Sequence, residues 1–517
     1  MNVQCDVINA LNSDREIALT PDSLSYKLWS SNVNGGIPIY FEVNYFNLTN
    51  PTEFENGGKP RYEEIGPYVF REFRQKEVLK WNNNGTVTFR QRKTYKFLPE
   101  LSGNRSLSDR ITNVNPIVVG ATHAVLNKPL VKLALIELFL VSKVKLVMTA
   151  SVEELTFKGV PDRLLKLAQI AQLFPYDKFG WFYPQNASTQ PDGLVNIFTG
   201  GPPGTLNLTG ILDTWNGSRT TPFYKYVRSG NFGRWPCNAV NGTFGDLFPP
   251  EPPKTDVTLF ATGLCRSMTL QYNGTTNKFR SYVSTPALFS NSSGNECFCT
   301  SGKTCRPSGI DAGAGWTCRS KTFIYFKSSV SCFVVQTSPP LNSCVSLSSP
   351  PGVVDNSACH FGAPAYVSLP HFLYADPSYR TAVGGMQPSE DLHTMSLSLH
   401  HRAGVIGSVN ARLQINLFVE KVSGFKVFRN ITPRMLPMFW FNERAQITRG
   451  LLRKLDMLDL GTEVIPIIGF VFLSLGCLIP ILIILVALIR FLRKRANQTQ
   501  YANLVEDEEG GHESPTS

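Results

Sequence analysis

VIPIIGFVFLSLGCLIPILIILVALI, residues Val464 to Ile489, carries no charge over 26 positions and is closed by Arg490, Arg493, Lys494 and Arg495. At 1.5 Å rise per residue such a helix is about 39 Å long, enough to cross a hydrocarbon core of roughly 30 Å with some tilt. A helix buried in a soluble core rarely runs this far without a charge. Pro466 and Pro480 lie inside the stretch, and membrane helices tolerate proline because neighbouring groups satisfy the freed carbonyls. Basic residues crowd only the C-terminal side, which predicts that residues 490–517 are cytosolic and that residues 23–463 form a luminal or extracellular ectodomain.

Glycosylation sequons test that topology independently. Asn47, Asn84, Asn104, Asn186, Asn207, Asn216, Asn241, Asn273, Asn291 and Asn430 all precede the span, and only Asn497 follows it. Nine of the eleven cysteines fall between Cys237 and Cys359, as in a disulfide-stapled segment of an oxidising compartment. A zinc site competes for that cluster, but Cys297 and Cys299 lack the two-residue spacing of the usual clip. No cofactor or metal is expected.

The 463 residues before the span can build a sizeable core. The whole chain carries +11; the four bases after the span contribute +4 and Glu506, Asp507, Glu508, Glu509 and Glu513 contribute −5, so residues 1–463 carry +12. A basic ectodomain favours polyanions or anionic lipid, or simply keeps the protein soluble. Nucleic acid is excluded as a partner by the compartment. Residues 1–22 are atypical: Met1 to Gly36 holds neither a signal-peptide core nor a transmembrane run. The expectation is that an N-terminal segment is missing from the sequence, the alternative being a leaderless protein.

Alternation predicts a strand over Ile37–Asn47 and an extended segment over Tyr62–Phe73. A strand pair is expected at Glu77–Trp81 and Thr86–Tyr95, joined by the Asn82-Asn83-Asn84-Gly85 turn. Residues 130–174 read as helical. Leu130 to Val141 is largely apolar, Ser151 with Glu154 fits a capping box, and Pro161 suits a first turn leading into Leu164, Leu167, Ala168 and Ala171. Lys143, Lys145, Lys158, Arg163 and Lys166 make this region basic as well as apolar, either as an amphipathic pair with a solvated face or as a ligand-docking surface. The Gly200-Gly201-Pro202-Pro203-Gly204 loop is a turn without the ending of a phosphate loop. Strand-like segments resume from Tyr366 to Phe428, notably Leu413–Val419.

The sequence offers no H-E-x-x-H, no G-x-S-x-G and no convincing carboxylate pair. His371, His400 and His401 have no recognisable catalytic partner, so the reading is of a protein that is not an enzyme.

Five strings point one way: GIPIYFEVNYFNLTNPTEFENGGKPRYEEIGPYVFRE from Gly36 to Glu72, GLCRSMTLQY from Gly263, ECFC from Glu296, PAYVSLPHFLYADP from Pro364 and LPMFWFNE from Leu436. Together, over about Ser23 to Arg495, the chain resembles the class B scavenger receptor family, which includes a fatty-acid translocase, a high-density-lipoprotein receptor and a lysosomal integral membrane protein. The resemblance implies a mixed α+β fold: a glycosylated ectodomain with an antiparallel β-barrel core, an apical helical bundle and a lipid tunnel, held by transmembrane helices at both ends. An N-terminal one is absent from this sequence. Residues 130–174 look like the apex, with Lys143 and Lys145 in the place of the family's anionic-ligand lysines. The resemblance also implies disulfides Cys237–Cys297, Cys265–Cys359 and Cys299–Cys344.

Two further features depart from the family. Residues 300–343 form an atypical stretch with Cys305, Cys318 and Cys332, read as retained intronic sequence or as an insertion with one extra bridge and a free thiol. Ala411 stands where a basic residue is common in relatives.

In the tail, Tyr501-Ala-Asn-Leu504 has the form of a sorting signal for clathrin adaptors. The reading is a scavenger receptor at the plasma membrane or endolysosomal membrane that binds lipids, lipoproteins or polyanionic ligands and moves lipid through a tunnel. Alternatives are a lysosomal trafficking receptor for a protein partner and an adhesion receptor for apoptotic cells or microbes. A homo-oligomer adds a second copy to the partners.

Overall fold

The computed structural model describes residues 14–509 except 31, 33–35, 127, 171–173, 190–191, 224–237, 290–315, 319–343, 347–351 and 361. Residues Arg15–Arg449 form one compact unit, and Gly450 onward belongs to a second.

Runs rich in Val, Ile, Tyr, Phe and Thr suit a half-buried pleat, and they build one antiparallel sheet. Its strands are β1 (Ile39–Leu48), β2 (Tyr62–Asn82), β3 (Thr86–Phe97), β4 (Val195–Phe198), β5 (Leu212–Trp215), β6 (Asp256–Ala261), β7 (Arg266–Thr276), β8 (Phe279–Val283), β9 (Val354–Asp355), β10 (Ala365–Ser368), β11 (Ser396–His400), β12 (Ile406–Val419) and β13 (Arg434–Gln446). The order is β6-β7-β8-β11-β12-β13-β1-β2-β3-β4-β5, with β10 pairing β12 and β9. Strands near the two ends of the ectodomain sequence, β1 and β13, lie side by side.

Thr243 nearly closes this sheet into a barrel. It is bridged to Ile211 beside β5 and to Leu259 in β6; its N–H donates to the Thr258 carbonyl at 3.1 Å, and its carbonyl accepts from the Phe260 N–H at 2.8 Å. Gly242, at φ 90°, admits the approach, because a Cβ there would lie 2.4 Å from the Thr258 carbonyl oxygen. Closure removes the exposed edges that an open sheet leaves.

The strand expected to break after Phe73 continues: β2 runs unbroken for 21 residues and pairs with β3 from Phe70 to Asn82. A first-turn proline starts each of two helices, α1 (Pro116–Ala124) and α2 (Pro129–Val141). The Asn115 Oδ1 accepts the Ile117 N–H at 3.0 Å, capping α1. The capping-box bonds at Ser151 form, with the Ser151 Oγ donating to Glu154 at 2.8 Å, but they open a single π-helical turn over Glu154–Lys158. Pro161 is not a first-turn residue. It sits in a short strand pair, and Asp162 caps α3 (Arg163–Ile170) by accepting the Leu164 N–H at 2.7 Å.

Cys265 and Cys359 are bonded, with Cα atoms 6.0 Å apart. Cys237, Cys297, Cys299, Cys305 and Cys332 lie outside the described residues, as does most of 300–343; the backbone of Cys344 pairs opposite Cys318 in a short antiparallel ladder. Eight sequon asparagines (Asn84, Asn104, Asn186, Asn207, Asn216, Asn241, Asn273 and Asn430) are exposed, Asn47 is half-buried, and Asn291 lies outside the described residues.

In the second unit, helix α4 (Arg449–Glu509) contains the 464–489 stretch, and its segment Ile467–Gln498 is long and apolar enough to cross a membrane. The backbone of Tyr501 to Leu504 is helical rather than extended.

Candidate functional site: a helical face on a barrel with a charged interior

The helical segment is rooted at one end of the barrel. A hairpin of Arg110–Val114 with Val147–Ser151 carries it. The Asn113 Nδ2 donates to the Phe46 carbonyl at 2.8 Å and to the Pro437 carbonyl at 3.1 Å, tying the hairpin to β1 and β13. A side-chain amide shared between two strand carbonyls satisfies groups that burial would otherwise penalise.

The helices expose apolar side chains instead of covering them. In α2 only Phe139 is buried, against Phe425, while Leu130 is 82% exposed, Leu133 62% and Val141 82%; in α3, Ile170 is 72% exposed. Every basic residue singled out in the sequence lies here and is exposed: Lys143 and Lys145 after α2, Lys158 at the π turn, Arg163 and Lys166 on α3. Lys143 takes φ 47°, so its chain direction reverses sharply after α2. Lys158 is tied to Glu153 at 2.9 Å, which raises its pKa. The other four form no ion pair among the described residues. Exposed apolar side chains and cations on one segment are chemistry for an amphiphile.

Beneath this face a cavity of about 10 Å³, room for one water molecule, is lined by Tyr45, Ile111, Asn113, Met148, Trp181 and Met438. Deeper in the barrel the inner face is aromatic. Phe41 meets Phe182 edge-on at 4.8 Å, Tyr95 stacks on Phe157 at 4.4 Å, and Trp181 lies 5.0 Å from Phe439.

Then the inner face turns ionic, a feature that sequence reasoning missed. Residues i and i+2 of a strand share a face, so Tyr68 and Phe70 are followed inward by Glu72, Arg74 and Lys76, opposite Tyr95, Lys93 and Gln91 of β3. Arg74 reaches Glu72 at 2.6 Å, Asp246 at 3.0 Å and also Glu443 of β13. Lys76 pairs with Asp246, and Lys93 with Asp192 at 3.0 Å. The Lys76 ammonium also lies 5.3 Å from the centroids of Phe89 and Phe244. Past it begins a second apolar core around Trp29, Val87, Phe89 and Phe260. The charges therefore separate two apolar regions.

Burial dominates the titration of this cluster. It raises the Glu72 carboxyl against the pull of Arg74, and lowers Lys76. Burial also opposes ionisation of Asp246 and Asp192, but the charges and hydrogen bonds of their partners, Lys76 and Arg74 on Asp246 and Lys93, Gln91 and Thr262 on Asp192, together outweigh it and hold both carboxyls below their usual range. The period-2 pattern Tyr68, Phe70, Glu72, Arg74, Lys76 was visible in the sequence; the partners Asp246 and Glu443, some 170 and 370 residues away, were not.

The CD36 family model matches residues 1–487. The chain is similar to scavenger receptor class B member 1 of Bos taurus, 32% identical over 90% of this chain and 82% of the relative. It is 28% identical to protein peste of Drosophila melanogaster, over 86% of this chain and 72% of the relative. Lysosome membrane protein 2 of Homo sapiens is 27% identical, over 90% and 86%. A family match over almost the whole chain, together with a nearly closed antiparallel sheet, a helical cap and a C-terminal apolar helix, shows that the chain belongs to the CD36 family.

Proposed function

We propose that this protein is a membrane scavenger receptor that captures lipids or lipid-bearing particles at the face of α2 and α3 and passes their apolar parts into the barrel. The observation that carries the reading is the coincidence of Leu130, Leu133, Val141 and Ile170 with Lys143, Lys145, Arg163 and Lys166 on one exposed segment. Lysines orient an anionic headgroup, and burial of an acyl chain contributes about 0.8 kcal/mol per methylene. The name of the bovine relative supports a scavenger receptor role. The water-sized cavity at Trp181 means that an acyl chain enters only when the surrounding rings part. No covalent step is required.

Binding of anionic and neutral vesicles to wild type and to Lys143→Glu/Lys145→Glu tests the capture step. The reading requires weaker binding of anionic vesicles alone; equal loss on both, or none, counts against it.

Trafficking of a protein partner is the second reading, favoured by the tail sequence Tyr501-Ala-Asn-Leu504 and by the similarity to lysosome membrane protein 2. Both readings place the protein at the plasma membrane or in endolysosomal membranes. Engagement of an adaptor by the tail requires the helical turn at Tyr501 to unwind.

A further inference from the structure

The charged layer inside the barrel is unequal. Among the described residues, Glu72, Asp192, Asp246 and Glu443 face Arg74, Lys76 and Lys93, a formal excess of one carboxylate. Burying so many ionic groups is costly unless every lone pair finds a donor, and here two do not. The Oε2 of Glu72, wholly buried, has no hydrogen-bond partner among the described residues. Among the described residues, Glu443 is bonded only through the oxygen that meets Arg74. Its neighbours across the sheet are Phe41 on β1 and Ala411 on β12, neither of which can donate from its side chain.

The layer is also reachable. Glu443 keeps 28% of its side-chain surface, Lys93 18%, and Arg74 and Asp246 14% each, although all four point to the inner face of the barrel. Phe41, paired across the sheet with Glu443, sets an aromatic wall beside the layer, its ring 5.6 Å from that of Tyr95 and 5.5 Å from that of Phe441. A lipid moving along the barrel must bring its head past the free oxygen of Glu443.

We propose that this layer is a headgroup station that prefers an amphiphile with an ammonium head to one of equal chain length with a carboxylate head. An ammonium supplies the missing hydrogen-bond donors and cancels the excess negative charge, whereas a carboxylate adds a second uncompensated one. The inference rests on the proposed passage of lipid through the barrel and adds the class of head selected there.

The test uses full-length protein in a non-ionic amphipol, with diazirine-bearing hexadecylamine and hexadecanoic acid as photoreactive probes, and peptide mapping of the labelled sites. Labelling of inner-face peptides of β2, β3 and β13 by the amine is expected to exceed that by the acid at least about tenfold, the lower range for a hydrogen bond to a charged group. Glu443→Gln should bring the ratio towards one. Ala411→Lys, which sets a cation beside Glu443 without removing any ionic partner, should do the same or invert it. Equal labelling by the two probes in wild type, or an excess of the acid, overturns the headgroup preference alone. A wild-type ratio that neither variant changes removes Glu443 as its source. Labelling of inner-face peptides by neither probe overturns the passage of lipid itself, and the preference with it.

Discussion

The imidazoles of His371 and His393 are stacked, with ring centroids 4.4 Å apart and planes 20° from parallel. Each Nδ1 accepts a backbone N–H, from Gln387 at 3.0 Å and from Ser389 at 2.9 Å. The Nε2 of His371 meets Glu64 at 2.6 Å, and Trp440 donates to the other oxygen of Glu64 at 3.1 Å. Burial, followed by His371 and Arg412 and against the pull of Glu64, lowers the pKa of His393 from 6.5 to about 4. Since the folded group titrates below a free imidazole, neutral His393 stabilises the fold above about pH 6.5, and that stabilisation is lost as pH falls towards 4. Its size is roughly 2 kcal/mol. Urea unfolding of wild type and His393→Phe between pH 7.5 and 4.5 should show the variant less stable by about 1 kcal/mol at neutral pH, with a flatter decline on acidification. Parallel declines would exclude His393 as a source of the pH dependence.

The disulfide Cys265–Cys359 closes a separation of 94 residues. Removing a crosslink over that span costs about 3–5 kcal/mol through the entropy of the unfolded chain. The double variant Cys265→Ser/Cys359→Ser should be secreted poorly and melt well below wild type. An unchanged melting temperature would mean that the bridge contributes little to stability.

Leu130 and Ile170 are so exposed that replacing both with serine should change stability by no more than about 0.5 kcal/mol. Vesicle binding should nevertheless weaken at least about fivefold, from apolar area no longer buried on contact. Co-flotation beside a thermal melt separates the two effects; full binding by the variant removes this face from the account.

Tyr501→Ala, in the tail, should move full-length protein from internal membranes to the cell surface, read by surface biotinylation. An unaltered distribution would leave the Tyr501-to-Leu504 sequence without a sorting role.

The legible parts of this fold are those whose information is local. Alternation marked β1, the Asn82–Gly85 turn marked the hairpin of β2 and β3, and the uncharged run from Val464 marked the membrane-crossing stretch. What stayed hidden depends on distant partners. Thr243 bridges two strand edges with a single residue and leaves no periodic trace. Likewise nothing local to Glu72, Arg74 and Lys76 marks them as a buried layer; that depends on Asp246 and Glu443, far away in the chain. Pro161 fits a first turn by composition, but its pairing with Lys178 places it outside the helix.

Lipid that enters the barrel would be found in the lipid content of the ectodomain. Residues 23–463, secreted behind a foreign signal peptide and purified without detergent, would be extracted and analysed by mass spectrometry. The account requires a lipid at near-stoichiometric amount, lost when the cavity and aromatic lining are filled by a Met438→Trp substitution. A well-folded ectodomain that carries no lipid and takes none up when offered it would contradict the account and favour the trafficking of a protein partner.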